Sequence, residues 1–310
     1  MSESPAGLKT ALLFPGQGSQ SVGMRARLGV RSAAQDDLFA RAERVLGFDL
    51  GRLIDEGPEA ELTRTPNAQP ALLAMDVAHA EGLRARGVAA DVVLGHSLGE
   101  YAALVVAEAL DFDDAVRLVR ARGRAMEDAA LRTPGRMVAV LKAPLEALRE
   151  VVVECGAKGV IALANLNGPE QVVLSGEAAA VDAAVEAIRA RRLGRTVPLN
   201  VAAAFHCPLM APAAHAFRSE LEGAELRPPR ATFIDNVTGA AEADPSRIRE
   251  KLVRQIVSPV RWEDSMRAAL ALGVQRFVES GPGSVLAALA RRIAPPGTII
   301  ATSESFLAGE

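Results

Sequence analysis

Apolar positions follow two rhythms along this chain. Short unbroken runs at Thr10–Phe14, Val92–Leu94, Thr232–Asn236 and Arg276–Glu279 predict buried strands. Longer stretches repeat with a helical period: Ala34–Leu46, Ala71–Arg86, Leu98–Ala109, Asp113–Asp128, the segment from Phe205 to about Leu221, Ser246–Ile256, Trp262–Leu272 and Val285–Arg292. Strands that alternate with helices imply a parallel sheet covered by helices. From Pro134-Gly135 the texture changes. Met137–Leu141, Val160–Asn165, Gln171–Ser175 and Thr196–Val201 read as strands, with helices at Leu145–Cys155 and Ala178–Arg192. Asn167-Gly168-Pro169 marks a turn between the second and third of these strands. The order β-α-β-β-α-β is that of a ferredoxin-like unit. No internal repeat and no low-complexity segment interrupts the pattern.

One junction carries chemistry in its spacing. Val92-Val93-Leu94-Gly95-His96-Ser97-Leu98-Gly99-Glu100-Tyr101 reads as a buried strand, a turn and a helix, with Ser97 between Gly95 and Gly99. The G-x-S-x-G spacing lets a strand bend sharply into a helix and leaves the serine hydroxyl at the top of a sheet. The following helix N-terminus favours an oxyanion there. The alternative is a chance Gly/Ser turn. The expected fold is α/β: a large α/β-hydrolase-like domain over 1–134 and 206–310, with a parallel sheet and a nucleophile elbow, and an inserted ferredoxin-like domain over 135–205.

Composition narrows the functional classes. The chain has 310 residues, 49% hydrophobic, with 35 Lys plus Arg against 38 Asp plus Glu and a net charge of −3. That is enough for one large domain with an insertion, or for two. The balance of charge gives no nucleic-acid footprint. One Tyr and one Trp leave no stacking platform for single strands. Cys155 and Cys207 have no metal-ligand spacing and read as reduced thiols. The stretch Met1–Pro5 is acidic, and the apolar run Ala11–Phe14 ends at Pro15-Gly16, so neither a signal peptide nor a membrane span is expected. The expectation is a cytoplasmic protein. The loop Pro15-Gly16-Gln17-Gly18-Ser19-Gln20 lacks both the third glycine of a dinucleotide fingerprint and the Gly-Lys-Ser/Thr of a P-loop.

A serine nucleophile needs a base. His96 adjoins Ser97 on a tight turn and tends to point away, which suits a structural or pocket-lining role. His79 falls in an amphipathic helical pattern and His215 in an Ala-rich one, and both read as surface or packing residues. His206 lies where the chain leaves the small unit, after the apolar stretch Val201–Phe205. Loops between domains are where cleft residues sit, so His206 is the candidate base. Arg122 has the planar donor geometry that clamps a carboxylate, but Arg120 and Arg124 flank it. A solvated basic helix face explains the same run.

Taken together and in order, several segments resemble the malonyl-CoA:acyl carrier protein transacylases, a family that includes the acyltransferase domains of fatty acid and polyketide synthases. They are Phe14–Gln20, Gly95–Glu100, Arg122-Gly123, Asn165-Leu166-Asn167, Ala204-Phe205-His206, Asn236-Val237-Thr238 and Gly281-Pro282-Gly283. The resemblance implies a Ser–His dyad, with Ser97 as nucleophile and His206 as base, the imidazole being oriented by the backbone carbonyl of Gln255. It implies backbone N–H groups of Gln17 and Leu98 in the oxyanion hole, and Arg122 on the free malonyl carboxylate. Phe205 and Leu98 fall where the family selects malonyl over methylmalonyl. The implied activity is ping-pong transfer of malonyl from malonyl-CoA to the phosphopantetheine thiol of acyl carrier protein, with no bound cofactor and a monomeric enzyme. An acidic carrier protein suits a basic patch, for which Arg189, Arg191, Arg192 and Arg195 are candidates; a solvated helix end explains them equally.

Two other classes share parts of this pattern. A thioesterase or acyl hydrolase acting on carrier-bound acyl groups uses the same elbow, but the usual α/β-hydrolase order places an acid before a C-terminal histidine. A non-catalytic carrier-binding module would not need Ser97, His206 and Arg122 together. A trans-acting polyketide synthase acyltransferase is a variant of the first reading.

Overall fold

The computed structural model describes residues 7–201 and 203–308. Met1–Pro5 and Ala202, which figure in the sequence expectations, lie outside the described residues. Nine strands are described: β1 (Thr10–Phe14), β2 (Val92–Gly95), β3 (Gly135–Leu141), β4 (Ile161–Gly168), β5 (Gln171–Glu177), β6 (Arg195–Pro198), β7 (Thr232–Ile234), β8 (Arg276–Glu279) and β9 (Ile299–Thr302). They form a parallel sheet of order β7-β2-β1-β8-β9 and an antiparallel sheet of order β4-β5-β3-β6. The second order, with helices Leu145–Cys155 and Ala178–Ala190 as its crossovers, is that of the ferredoxin-like unit.

The central parallel strands β1 and β2 are buried on both faces, as their unbroken apolar runs require. Leu12, Phe14 and Val93 feed one core, and Ala11, Leu13, Val92 and Leu94 feed the other. From β1 the chain moves to β2 and β7 on one side, and later to β8 and β9 on the other. The carboxyl ends of β1 and β8 therefore flank the point where strand order reverses, the usual place for a crevice in an open α/β sheet. The loop after β1, the turn after β2 and the Ser280–Gly283 loop after β8 all lie at this edge. β4 ties the small sheet to the segment before the helix Trp262–Ala271: Leu166 N donates to Val260 O and Val260 N to Ala164 O, both at 2.9 Å.

Several elements differ from the sequence expectation. The helix expected from Ala71 begins at Thr65 and runs to Ala85, through Pro66 and Pro70. Pro66 lies in the first turn, where a missing N–H costs nothing. Pro70 has no N–H for the Pro66 carbonyl, and Arg120 Nη1 donates to that oxygen instead, at 2.6 Å. This helix is buried on all sides, not amphipathic, so His79 is an interior residue held by Ser303 at 2.9 Å. Burial pushes its pKa down to about 4. The elbow helix spans Gly99–Val106 rather than reaching Ala109, β6 stops at Pro198, and β7 stops at Ile234. The short helices Leu50–Glu56 and Glu59–Thr63, strand β9 and the helix Ser303–Ala308 had no counterpart in the apolar pattern. No helix among the described residues is long and apolar enough to cross a membrane.

The turn after β2 is the tightest approach in the fold. A Cβ at Gly99 would lie 2.0 Å from the Phe14 carbonyl oxygen, and one at Gly95 would lie 1.9 Å from the Gly99 carbonyl carbon. Both contacts are with backbone, which cannot swing aside. Gly99→Ala is therefore expected to destabilise the protein by at least the ~1–3 kcal/mol typical of overpacking, seen as a lower midpoint in thermal or urea unfolding. A midpoint equal to wild type would show that the β1–elbow contact is not tight.

Candidate active site

Ser97 occupies the turn with φ of 53°, a left-handed conformation that a non-glycine residue adopts only when its surroundings impose it. Asn236, just past β7, imposes it here. Its Oδ1 accepts from Ser97 N at 2.7 Å, and its Nδ2 donates to Gly95 O at 2.7 Å. One amide thus brackets the elbow from both sides. The Asn236 backbone N–H in turn donates to Glu100 Oε1.

His206 also has a positive φ, 57°, and its Nε2 lies 2.8 Å from Ser97 Oγ. Its Nδ1 lies 2.9 Å from the Gln255 carbonyl oxygen. A carbonyl only accepts, so Nδ1 carries the proton and Nε2 presents a lone pair to the serine hydroxyl. Burial, followed by the nearby Arg122 charge, pushes the His206 pKa down to about 3. The imidazole is neutral at neutral pH and able to take a proton.

Arg122 projects inward from the helix Phe112–Arg132 and is 1% exposed. Its Nη2 donates to Ser97 Oγ at 3.0 Å and to Gln255 Oε1 at 2.9 Å, and the guanidinium lies over the Tyr101 ring, 5.8 Å from its centroid. Burial lowers its pKa, but a guanidinium stays charged in a protein. The flanking arginines turn elsewhere. Arg120 serves the Pro66 carbonyl, and Arg124 is exposed.

Gln17, Ser97, Leu98, Arg122, Phe205 and His206 line one cavity of about 440 Å³. Gln255 stands behind it, fully buried. Ser97 N is occupied by Asn236, whereas among the described residues the Gln17 and Leu98 backbone N–H groups have no protein acceptor. The Gly16 end of the loop presses on the elbow, since a Cβ there would lie 2.6 Å from His96 O. His96 Nε2 donates to Asn167 Oδ1 at 2.9 Å and the ring lies against Trp262, so His96 is a wall of the site rather than its base. His215 is exposed. Arg189, Arg191, Arg192 and Arg195 are all exposed, with Arg191 paired to Glu154. No cluster of metal-ligating side chains occurs among the described residues.

The structure adds groups that sequence reasoning did not assign. The Gln255 side chain, Glu100 and the Asn236 side chain hold the elbow and the arginine in place. Asn236 and Glu100 fell within motifs already singled out, but nothing in the sequence indicated what their polar atoms would touch.

The model of the acyl transferase domain family matches residues 11–295. The chain is 42% identical over 286 residues to the malonyl CoA-acyl carrier protein transacylase of Bacillus subtilis, covering 92% of this chain and 90% of that one. Among solved structures it is similar to the malonyl CoA-acyl carrier protein transacylase of Coxiella burnetii, with a TM-score of 0.93, 36% identity, and 97% and 96% of the two chains covered. It is equally similar to a malonyl-transacylase solved in complex with its type II PKS acyl-carrier protein, with a TM-score of 0.91, 38% identity, and 97% and 100% covered. A family match over most of the length, on a fold with a serine, a histidine and an arginine converging at its elbow, places this chain in the acyl transferase family.

Proposed function

We propose that this protein transfers malonyl from malonyl-CoA to acyl carrier protein through a malonyl-serine intermediate. The observation that carries the reading is the placement of a buried cation, Arg122 Nη2, 3.0 Å from the Ser97 hydroxyl. An acyl group on Ser97 then has a positive charge beside it, on a guanidinium that is itself 1% exposed. Malonyl offers a carboxylate there, whereas acetyl offers only a methyl group. A carboxylate–guanidinium pair is a charge-assisted interaction suited to that discrimination. The names of the relatives support the same substrate, and the carrier-protein complex of one of them supports the acceptor.

The chemistry follows from the tautomer. Ser97 Oγ attacks the thioester carbonyl carbon as its proton passes to His206 Nε2. The Gln255 carbonyl holds the resulting imidazolium through Nδ1–H. Negative charge develops on the former carbonyl oxygen, where the free Gln17 and Leu98 N–H groups can receive it. The C–S bond breaks, CoA leaves with the proton from Nε2, and malonyl remains on Ser97. The carrier thiol then gives its proton to Nε2 and attacks the same carbon, and the Oγ–C bond breaks as Nε2 returns that proton to Oγ. The donor thioester and the carrier thiol supply every atom exchanged. Phe205 and Leu98 line the cavity beside the acyl position and are the groups we expect to crowd an α-methyl branch. The span of the antiparallel sheet, Gly135 to Pro198, supports treating 135–205 as an inserted unit and 1–134 with 206–310 as the catalytic body.

Intact-protein mass spectrometry tests the assignments. Ser97→Ala should show no covalent malonyl after mixing with malonyl-CoA, and an adduct on that variant would place the nucleophile elsewhere. Arg122→Ala should lose malonyl loading by roughly a hundredfold, the scale of a lost charge-assisted contact, while acetyl loading holds or rises. A parallel fall for both acyl groups would remove the clamp role.

The pH profile tests the base. The His206 pKa lies below the ordinary 6.5, at about 3, so Nε2 keeps its lone pair as pH falls through 6.5 and loses it only near 3. Rapid-quench acylation rates should therefore stay level, within about twofold, from about pH 8 down to about pH 5. A fall centred near pH 6.5 would show that the imidazole titrates as if exposed.

A further inference from the structure

Gln255 is 0% exposed and bonds to His206, Arg122 and Ser97. Its backbone oxygen orients His206. Its side chain does something separate. Oε1 accepts from Arg122 Nη2 at 2.9 Å, while Nε2 donates to Ser97 O at 2.9 Å and to Glu100 Oε2. The amide orientation is forced. Arginine only donates, so the oxygen must face Arg122, and the nitrogen then faces two acceptors. Turning the amide over would set NH₂ against guanidinium and oxygen against two oxygens.

The arrangement solves a charge problem. Arg122 is a buried cation whose hydrogen-bond partners in the structure, Ser97 Oγ and Gln255 Oε1, are both neutral. A buried charge left without a counter-ion is costly. Glu100, 1% exposed, is the acid at the far end of the amide. Burial and the nearby Asp235 charge push its pKa well above the ordinary carboxylate range, while the Asn236 N–H, Arg122 and the Gln255 amide favour the charged form. The geometry favours the charged form, because both oxygens accept N–H bonds, from Asn236 N and Gln255 Nε2, and neither donor can accept in return. A direct Arg122–Glu100 pair would satisfy the cation and leave nothing for an incoming carboxylate. An amide placed between them passes on part of the anion's influence and leaves the guanidinium available.

We propose that the Gln255 side chain is a positioning residue for acyl selection: polarised between Glu100 and Arg122, it holds the guanidinium where the carboxylate of an acyl group on Ser97 will meet it, without neutralising it. This rests on the malonyl-transfer reading above and concerns a group that reading does not use. It separates two functions of one residue, since the backbone carbonyl serves the base and the side-chain amide serves selectivity.

Gln255→Met separates them experimentally. It keeps the backbone carbonyl and much of the bulk and removes the amide. The readout is the ratio of malonyl to acetyl loading rates on the intact protein, with the KM for malonyl-CoA and the acylation pH profile. The ratio should fall roughly ten- to a hundredfold, the scale of one hydrogen bond to a charged group. The KM should rise, and the pH profile should keep its wild-type shape because Nδ1 still meets the carbonyl. An unchanged ratio, however low both rates become, would overturn the proposal and leave the amide a support for Ser97 alone. A crystal structure of the wild-type malonyl-enzyme gives a second test that needs no variant. Gln255 Oε1 should remain on an Arg122 nitrogen with the malonyl carboxylate in place, and its release would overturn the proposal. Wild type that shows no preference for malonyl over acetyl would instead defeat the underlying reading.

Discussion

Burying a guanidinium beside a serine hydroxyl is the constraint around which this site is organised. Removing such a charge from water costs on the order of several kcal/mol unless hydrogen bonds and a counter-charge offset it. Here the offsets are indirect. Arg122 meets a hydroxyl, an amide oxygen and the face of Tyr101, and the nearest acid in the network, Glu100, is one amide away. The cation is therefore stabilised enough to stay in place and still short of a partner. A substrate that brings a carboxylate supplies what the protein withholds, so selection and binding arise from the same deficit. The same positive charge, added to burial, keeps His206 neutral, so the arginine also keeps the base ready to accept a proton.

Geometry that precise needs a rigid frame, and the frame comes from backbone contacts. Ser97 and His206 both hold positive φ angles. Each is kept there by neighbours that over-determine it: Asn236 clasps the elbow, and the Gln255 carbonyl fixes the imidazole. The glycines at 95 and 99 let the elbow press against the end of β1, which brings the Gln17 loop up to the serine. The Gln17 and Leu98 N–H groups proposed to receive the oxyanion are thus set by packing at the carboxyl edge of the parallel sheet, where the strand order reverses.

Much of this was legible in the chain. The alternation of buried runs and helical periods gave the two sheets, because a strand buried on both faces must be apolar throughout. Ser97 was legible from glycine spacing, since only glycine tolerates the contacts at 95 and 99. Arg122 was not separable from Arg120 and Arg124 by pattern. They lie on one exposed-looking run, and only the helix phase, about 100° per residue, turns Arg122 inward, Arg124 out and Arg120 against the helix from Thr65. The helical period alone begins this helix at Ala71, past Pro66 and Pro70; the Arg120 guanidinium that takes up the Pro66 carbonyl comes from another helix. Strand β9 lies at the sheet edge and is partly exposed, so its run of Ile299 to Thr302 gave no clear buried period. The Gln255 carbonyl was reached only through family resemblance. Its side chain could not be reached from sequence at all, because its three partners lie 133 to 158 positions away.

The central claim is that a single serine holds malonyl, chosen by its carboxylate, between two thiols. The most direct measurement follows the mass of the intact wild-type protein after mixing with malonyl-CoA or acetyl-CoA, and then with a phosphopantetheinylated acyl carrier protein. The account predicts one malonyl increment, little or no acetyl increment, and loss of the malonyl increment to the carrier as malonyl-carrier appears. Equal loading of acetyl, or release of free malonate with no malonyl-carrier formed, would contradict it.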